Sequence, residues 1–263
     1  MKIKVSVCSS VGKKSRINQD NFFANGFINE KNKSRIKKSF IAKKAEQLLA
    51  ICDGMGGEAK GEIASYIAVR KLETFRKRYS SLLARFDEHM DVYVHHANKA
   101  ICEYIEGNGG VKMGSTAVVL CVNPQKGEAV SGNIGDSKAL MFREGKLKKL
   151  SEDHNEAQSM VNLGIITEEE ARTHSAKSKL TQHLGIRPDE LVLEPFVSDT
   201  VILKKGDIFL LCSDGLTDML SYDSIEKIMK EEKSAKKIAN KLVTEADAAG
   251  GKDNTTVIVA EVI

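Results

Sequence analysis

Short runs of β-type residues recur along the chain, at 3–8, 48–52, 116–122, 129–133, 139–142, 208–212 and 255–262. They are rich in Val, Ile, Leu and Cys and bounded by Gly, Asp or Asn, the pattern of strands. Elsewhere apolar positions fall at helical spacing. Ala64, Ala68, Leu72 and Phe75 share one face, as do Met90, Val94, Ala97, Ile101 and Ile105. A third set, Ala235, Ile238, Ala239, Leu242 and Ala246, runs into Gly250-Gly251, a predicted C-cap. Thr167 with Glu170 three residues on predicts a capping box that opens a short helix. Residues 58–79 read as a helix that follows a glycine-rich turn.

The order of these elements decides the fold class. Strands come in clusters, then two long helices, then more strands, with a helix pair near the end. A parallel doubly wound sheet would instead alternate strand and helix, so the pattern predicts an α+β chain of antiparallel sheets with segregated helices. Three prolines, no Ser/Gly-rich linker and no internal repeat predict one domain over 1–263.

Composition narrows the function classes. At 263 residues, 41% apolar and 29% charged, the chain can bury a large core. Its net charge of +4, from 40 basic and 36 acidic groups, is too mild to argue for nucleic acid. Five dispersed cysteines without a C-x-x-C pair read as buried free thiols in a reducing compartment. No apolar run approaches the roughly 18 residues of a membrane span, and the start lacks a signal peptide, so a cytoplasmic location is expected. The stretch 25–47 is locally basic, with Lys31, Lys33, Arg35, Lys37, Lys38, Lys43 and Lys44. It reads as a solvated hairpin or loop; a docking surface for an acidic or phosphorylated partner is the sharper alternative. With Phe40 as its one aromatic apart from Phe27 at its start, it has little for base stacking.

The candidate chemistry lies in aspartates at strand ends. One run closes on Cys52-Asp53-Gly54, another on Cys212-Ser213-Asp214-Gly215. A third leads into Gly135-Asp136-Ser137, and a fourth begins after Asp253-Asn254; Asp20 follows Asn18-Gln19. Any one of these is most simply a turn residue or helix cap. Five that converged would repel one another and raise each other's pKa values unless cations lay between them. Oxygen ligands without His or Cys at ligand spacing point to Mg²⁺ or Mn²⁺ rather than zinc. The turn Asp53-Gly54-Met55-Gly56-Gly57 needs glycine for close backbone approach and positive φ.

With these motifs the sequence resembles the metal-dependent protein phosphatases, the phosphatase 2C family. The matches run in order: Arg16-Ile17-Asn18-Gln19-Asp20-Asn21, Asp53-Gly54-Met55-Gly56-Gly57, Gly114-Ser115-Thr116 and Gly132-Asn133-Ile134-Gly135-Asp136-Ser137. Leu180-Thr181-Gln182-His183-Leu184-Gly185, Ser213-Asp214-Gly215-Leu216-Thr217-Asp218 and Asp253-Asn254-Thr255-Thr256 complete the set. The resemblance implies a four-layer αββα sandwich of two antiparallel sheets flanked by helices. It implies that Asp53 and the Gly54 carbonyl bind a metal pair, with Asp20, Asp214 and Asp253 as further ligands and Asp136 joining Asp214 at a third ion. Arg16 matches the phosphate-binding arginine. The span 154–179 matches the family's flap.

Some positions depart from the family pattern. Met55 stands where animal members carry a histidine, Lys138 replaces the usual arginine after Gly-Asp-Ser, and Lys177-Ser178-Lys179 precedes the Leu-Thr element. The implied reaction is hydrolysis of phosphoserine or phosphothreonine in proteins by a metal-activated water. No Cys-x5-Arg loop offers a cysteinyl-phosphate route. His89, His95 and His96 read as helix surface; His154, His174 and His183 flank the flap, where one could assist proton transfer. The expected partners are phosphorylated proteins, substrates of a cognate kinase, met by a monomer, with neither nucleic acid nor membrane. Two other readings stay open: a catalytically inactive phosphoprotein-binding scaffold, and a regulatory phosphatase for an anti-sigma-antagonist protein.

Overall fold

A computed structural model of the chain describes residues 1–31, 33–42, 45–56, 60–78 and 81–263. Its strands are β1 (Ile3–Ser10), β2 (Asn21–Ala24), β3 (Arg35–Ile41), β4 (Gln47–Cys52), β5 (Gly54–Met55), β6 (Gly114–Ser115) and β7 (Ala117–Asn123). They continue with β8 (Glu128–Ile134), β9 (Lys138–Arg143), β10 (Lys146–Lys149), β11 (Phe196–Val197), β12 (Val201–Ile202), β13 (Ile208–Cys212) and β14 (Thr255–Val262). The helices are α1 (Gly61–Arg78), α2 (Phe86–Gly107), α3 (Glu156–Asn162), α4 (Glu168–Ala171), α5 (Asp214–Thr217), α6 (Tyr222–Glu231) and α7 (Ala235–Ala248).

Two sheets carry the fold. The first has the order β10-β9-β13-β14-β1-β3 and the second β11-β8-β7-β4-β2, with β12 also on β8. Every pairing in both is antiparallel. The central strands read as near-continuous apolar runs because both of their faces are covered. Along β7, Val118, Leu120 and Val122 point into the core between the sheets, while Ala117, Val119 and Cys121 meet α1 and α2. Along β14, Ile258 and Ala260 face the same inner core, and Val257 and Val259 meet α5, α6 and α7. This two-residue alternation stacks helices, sheet, sheet and helices: the four-layer αββα sandwich expected from the resemblance.

The helical faces lie where the spacing put them. Ala64, Ala68, Leu72 and Phe75 of α1 and Met90, Val94, Ala97 and Ile101 of α2 are buried in one cluster, with Ile105 half-buried against it. The ends predicted for the first helix, Glu58 and Tyr79, lie outside the described residues, as do Gly57, Lys43 and Lys44. Thr167 and Glu170 form the reciprocal capping box. At the end of α7 the N–H of Gly251, at φ +51°, donates to the Ala246 carbonyl at 3.1 Å, closing the helix as the glycine pair predicted.

The basic stretch expected as a solvated hairpin or loop supplies β3, the edge strand of the first sheet. Ile36 and Phe40 turn inward, while Arg35 and Lys37 are exposed. Exposed basic groups on an edge strand discourage pairing with other chains. All five cysteines are free and buried. Among the described residues no helix is long and apolar enough to cross a membrane.

Candidate active site

Strand register brings the aspartates to one end of the sandwich. In the second sheet β2 and β4 pair Asn21 with Cys52, so Asp20 and Asp53 leave the sheet side by side. In the first sheet Cys212 pairs with both Lys138 and Val257. Two residues further on, Asp214 therefore stands level with Asp136 on one side and Thr255 on the other, with Asp253 just beyond. The sheets are stitched together here: Ser213 Oγ donates to Asp20 Oδ2 at 2.8 Å and accepts the Thr256 N–H at 3.0 Å.

Neighbouring side chains hold these loops in place. Thr116 Oγ1 accepts the Asp53 N–H at 3.0 Å and lies 2.7 Å from Ser137 Oγ. The Asn254 side chain accepts the Gln19 N–H at 2.7 Å and donates to the carbonyls of Val11 and Ile17 at 2.9 and 3.2 Å. It thereby fixes the loop that carries Arg16. Gly54 needs to be glycine for closeness rather than for its φ: a Cβ there would stand 2.0 Å from the Gly61 carbonyl oxygen. The Gly54 carbonyl itself lies against Gly61 at the start of α1.

The electrostatics follow from this crowding. Burial, and then the charges of Asp20, Asp214, Asp253 and Asp136, push the Asp53 carboxyl well above the ordinary range. Asp20 is 2% exposed; burial raises it to about 7, against hydrogen bonds from Thr256 and Ser213 that favour its charged form. Burial also raises Asp136 to about 7, with Asp214 adding to the shift and Lys138 opposing it. Asp214 is raised by burial and then by Asp218 and Asp253. One oxygen of Asp20 and one of Asp214, Oδ1 in each case, are buried without a hydrogen-bond partner. Among the described residues no three His, Cys, Asp or Glu side chains form a group that could hold a metal ion.

A cleft of about 460 Å³ opens beside Asp136 and Asp214, lined also by Lys138, Arg172, Lys177 and Tyr222. The span 154–179 forms one side of it with α3, α4 and the short 3-10 helix Ser175–Ser178. Lys177 Nζ reaches Asp218 Oδ1 at 2.8 Å, and the Arg172 guanidinium lies 4.3 Å from the Tyr222 ring centre. Arg16 stands apart, exposed and with no carboxylate partner among the described residues.

A family model described as Protein phosphatase 2C matches residues 35–245, most of the chain. The chain belongs to this family. It is 32% identical over 225 residues to the serine/threonine phosphatase stp of Listeria welshimeri, spanning 84% of this chain and 87% of that one. The solved S. agalactiae serine/threonine phosphatase superposes with a TM-score of 0.82 at 29% identity, over 99% of this chain and 100% of that chain. The catalytic domain of the serine/threonine protein phosphatase PstP, solved in complex with two manganese ions, gives 0.76 at 27% identity, over 100% and 99%.

Within this phosphatase 2C chain the three histidines in or beside the 154–179 span have Nδ1 at hydrogen-bond distance from backbone. His154 Nδ1 accepts the Gly135 N–H at 3.2 Å, His174 Nδ1 accepts that of Ala176 at 3.1 Å, and His183 Nδ1 lies 3.0 Å from the Leu184 carbonyl. Burial lowers the His154 pKa, in keeping with a neutral acceptor. On α2, His95 and His96 are exposed and His89 is half-buried. Sequence reasoning gave no role to Ser213, Asn254, Thr116 or Ser137, although each sits inside a quoted motif. It also missed Asp153, whose partner lies 15 positions away in Lys138; no local pattern announces that pair.

Proposed function

We propose that this chain is a protein serine/threonine phosphatase whose strand-end aspartates hold divalent cations for hydrolysis of phosphoserine and phosphothreonine. The observation that carries the cation reading is the pair of orphaned buried oxygens, Oδ1 of Asp20 and Oδ1 of Asp214, in a neighbourhood of five carboxylates. A buried charged acceptor without a donor is costly, and a cation is the partner that removes the cost. All the side-chain donors are oxygens, so the set fits a hard ion, Mg²⁺ or Mn²⁺. The solved PstP domain with two manganese ions supports the same reading.

We assign Asp53 and the Gly54 carbonyl, Asp20, Asp214 and Asp253 to an ion pair, and Asp136 with Asp214 to a third ion. When bound, such ions supply Lewis-acid charge at the phosphoryl group and make water a better nucleophile. The carboxylates act as holders of charge rather than as acids or bases. Ser213 and Thr256 orient Asp20, and Thr116 sets the Asp53 backbone. Arg16 offers a planar fork to phosphate oxygens from the loop that Asn254 fixes. We further assign 154–179 as a flap bordering the substrate cleft, with phosphorylated proteins as the substrates.

The test is hydrolysis of a phosphothreonine peptide with added Mn²⁺, with and without chelator, beside Asp214→Asn. Activity should require the metal and collapse in the variant. Full turnover in chelator would overturn the reading.

A further inference from the structure

Beside Asp136 and Asp214 lies a cation whose salt bridge is to neither of them but to Asp153. Lys138 Nζ donates to the Asp136 backbone carbonyl at 3.0 Å and to Asp153 Oδ2 at 2.6 Å. The Lys138 and Asp153 side chains are only 12% and 15% exposed. Asp153 also faces Lys149 at 3.3 Å, and Lys149 reaches Gln158 of α3 at 3.1 Å. The turn between β8 and β9 is laced to the segment before α3 as well. Asn133 Nδ2 donates to the carbonyls of Gly135 and Glu152 at 3.0 and 2.7 Å, and the Glu152 N–H returns to Asn133 Oδ1 at 3.1 Å. The His154 N–H donates to the Gly135 carbonyl at 3.1 Å.

A lysine this close to a carboxylate pair would ordinarily form a salt bridge with one of them. Here its side-chain partner is Asp153, and what it takes from Asp136 is the carbonyl oxygen. That geometry fixes the Asp136 peptide and leaves the Asp136 carboxylate without a direct contact to the ammonium. Lys138 stands opposite Cys212 on β13, two residues before Asp214, so one cation supports both acids without touching either carboxyl.

We infer that the Lys138–Asp153 pair is a positioning device for cation binding at Asp136 and Asp214. Lys138 sets the turn, and Asp153 diverts its charge from the site. Removing either partner weakens that binding, since supports behind metal-holding groups commonly change affinity about 10–100-fold. Losing Lys138 frees the turn; losing Asp153 turns the ammonium onto Asp136, where it competes with the metal. The inference rests on the proposed assignment of Asp136.

The experiment is calorimetric Mn²⁺ titration of the full chain, with circular dichroism to check the fold. Wild type, Lys138→Met, Asp153→Asn, Lys138→Arg and Asp136→Asn are compared. We expect Asp136→Asn to abolish the weakest binding event, and Lys138→Met and Asp153→Asn to weaken it by about tenfold or more. The tighter events should persist in all three, and Lys138→Arg should retain the wild-type isotherm. If Asp136→Asn loses the event while folded Lys138→Met and Asp153→Asn titrate like wild type, this inference is wrong and the site assignment survives. If Asp136→Asn changes nothing, the assignment itself falls and takes the inference with it. Should Lys138→Met fail to fold, Asp153→Asn is read by the same criterion.

Discussion

Thr116 Oγ1 accepts the backbone N–H of Asp53 at 3.0 Å, while the Thr116 N–H returns to the Asp53 carbonyl at 2.8 Å. The same hydroxyl lies 2.7 Å from Ser137 Oγ, beside Asp136. One side chain thus links the Asp53 corner to the Asp136 turn. Thr116→Val keeps the shape and deletes the acceptor, leaving the Asp53 N–H unsatisfied at a cost of about 1–3 kcal/mol. Urea unfolding should show that loss, and Mn²⁺-dependent turnover should fall with it. Thr116→Ser should restore both; a fully active, fully stable Thr116→Val would remove Thr116 from the account.

Without metal, the clustered carboxyls make the fold proton-dependent. Asp20 and Asp136 rise to about 7 in the folded chain from an ordinary value of 3.8. Between those values the native state holds protons that the unfolded chain has released. Stability therefore falls as pH rises from about 4 through about 7. Chelated protein should melt at a lower temperature at about pH 8 than at about pH 5. Saturating Mn²⁺ should flatten or reverse that slope, because the cation takes the place of the protons. A melting temperature that climbs with pH in chelator would contradict the buried, mutually repelling arrangement.

The sequence made the strands and the acidic corner legible for different reasons. Runs such as 48–52 and 116–122 stood out because both faces of those strands are buried, so apolar residues are unbroken. Asp53 and Asp214 stood out because each ends such a run beside a glycine. By contrast, β3 was hidden: as an exposed edge strand it alternates lysine with a few apolar residues and resembles a loop. The supports were hidden too. Ser213 meets Asp20 across 193 positions, and Asn254 meets Gln19 across 235. Contacts of that span come from register between strands, which a linear pattern does not express. Arg16 shows the reverse case, a motif residue that is exposed and has no carboxylate partner among the described residues.

Two contacts tie the 171–179 turn to the opposite side of the cleft, Lys177 to Asp218 and Arg172 to the Tyr222 ring. Both are partly exposed, and a pair of that kind contributes about 0.2–1 kcal/mol. Lys177→Ala should therefore leave global unfolding nearly unchanged. Local opening of the turn should still become easier, so amide exchange across 171–179 should accelerate while that of β7 and β14 does not. Equal exchange in variant and wild type would show that the ion pair restrains nothing.

Gly215 follows Asp214 in the first turn of α5, and a Cβ there would stand 1.9 Å from the Asn254 carbonyl oxygen. That neighbour is backbone and has no rotamer through which to retreat. Moving it would disturb Asn254, whose side chain holds Gln19, Ile17 and Val11, and with them the loop of Arg16. Gly215→Ala should destabilise the fold by about 1–3 kcal/mol, as overpacking does, and lower Mn²⁺-dependent turnover. Gly107, at the end of α2, is the internal control: a Cβ there meets nothing within 4 Å. Gly107→Ala should be neutral, or stabilising by up to about 1 kcal/mol through helix propensity. Paired urea melts of the two variants test the steric argument, which fails if both alanines are tolerated alike.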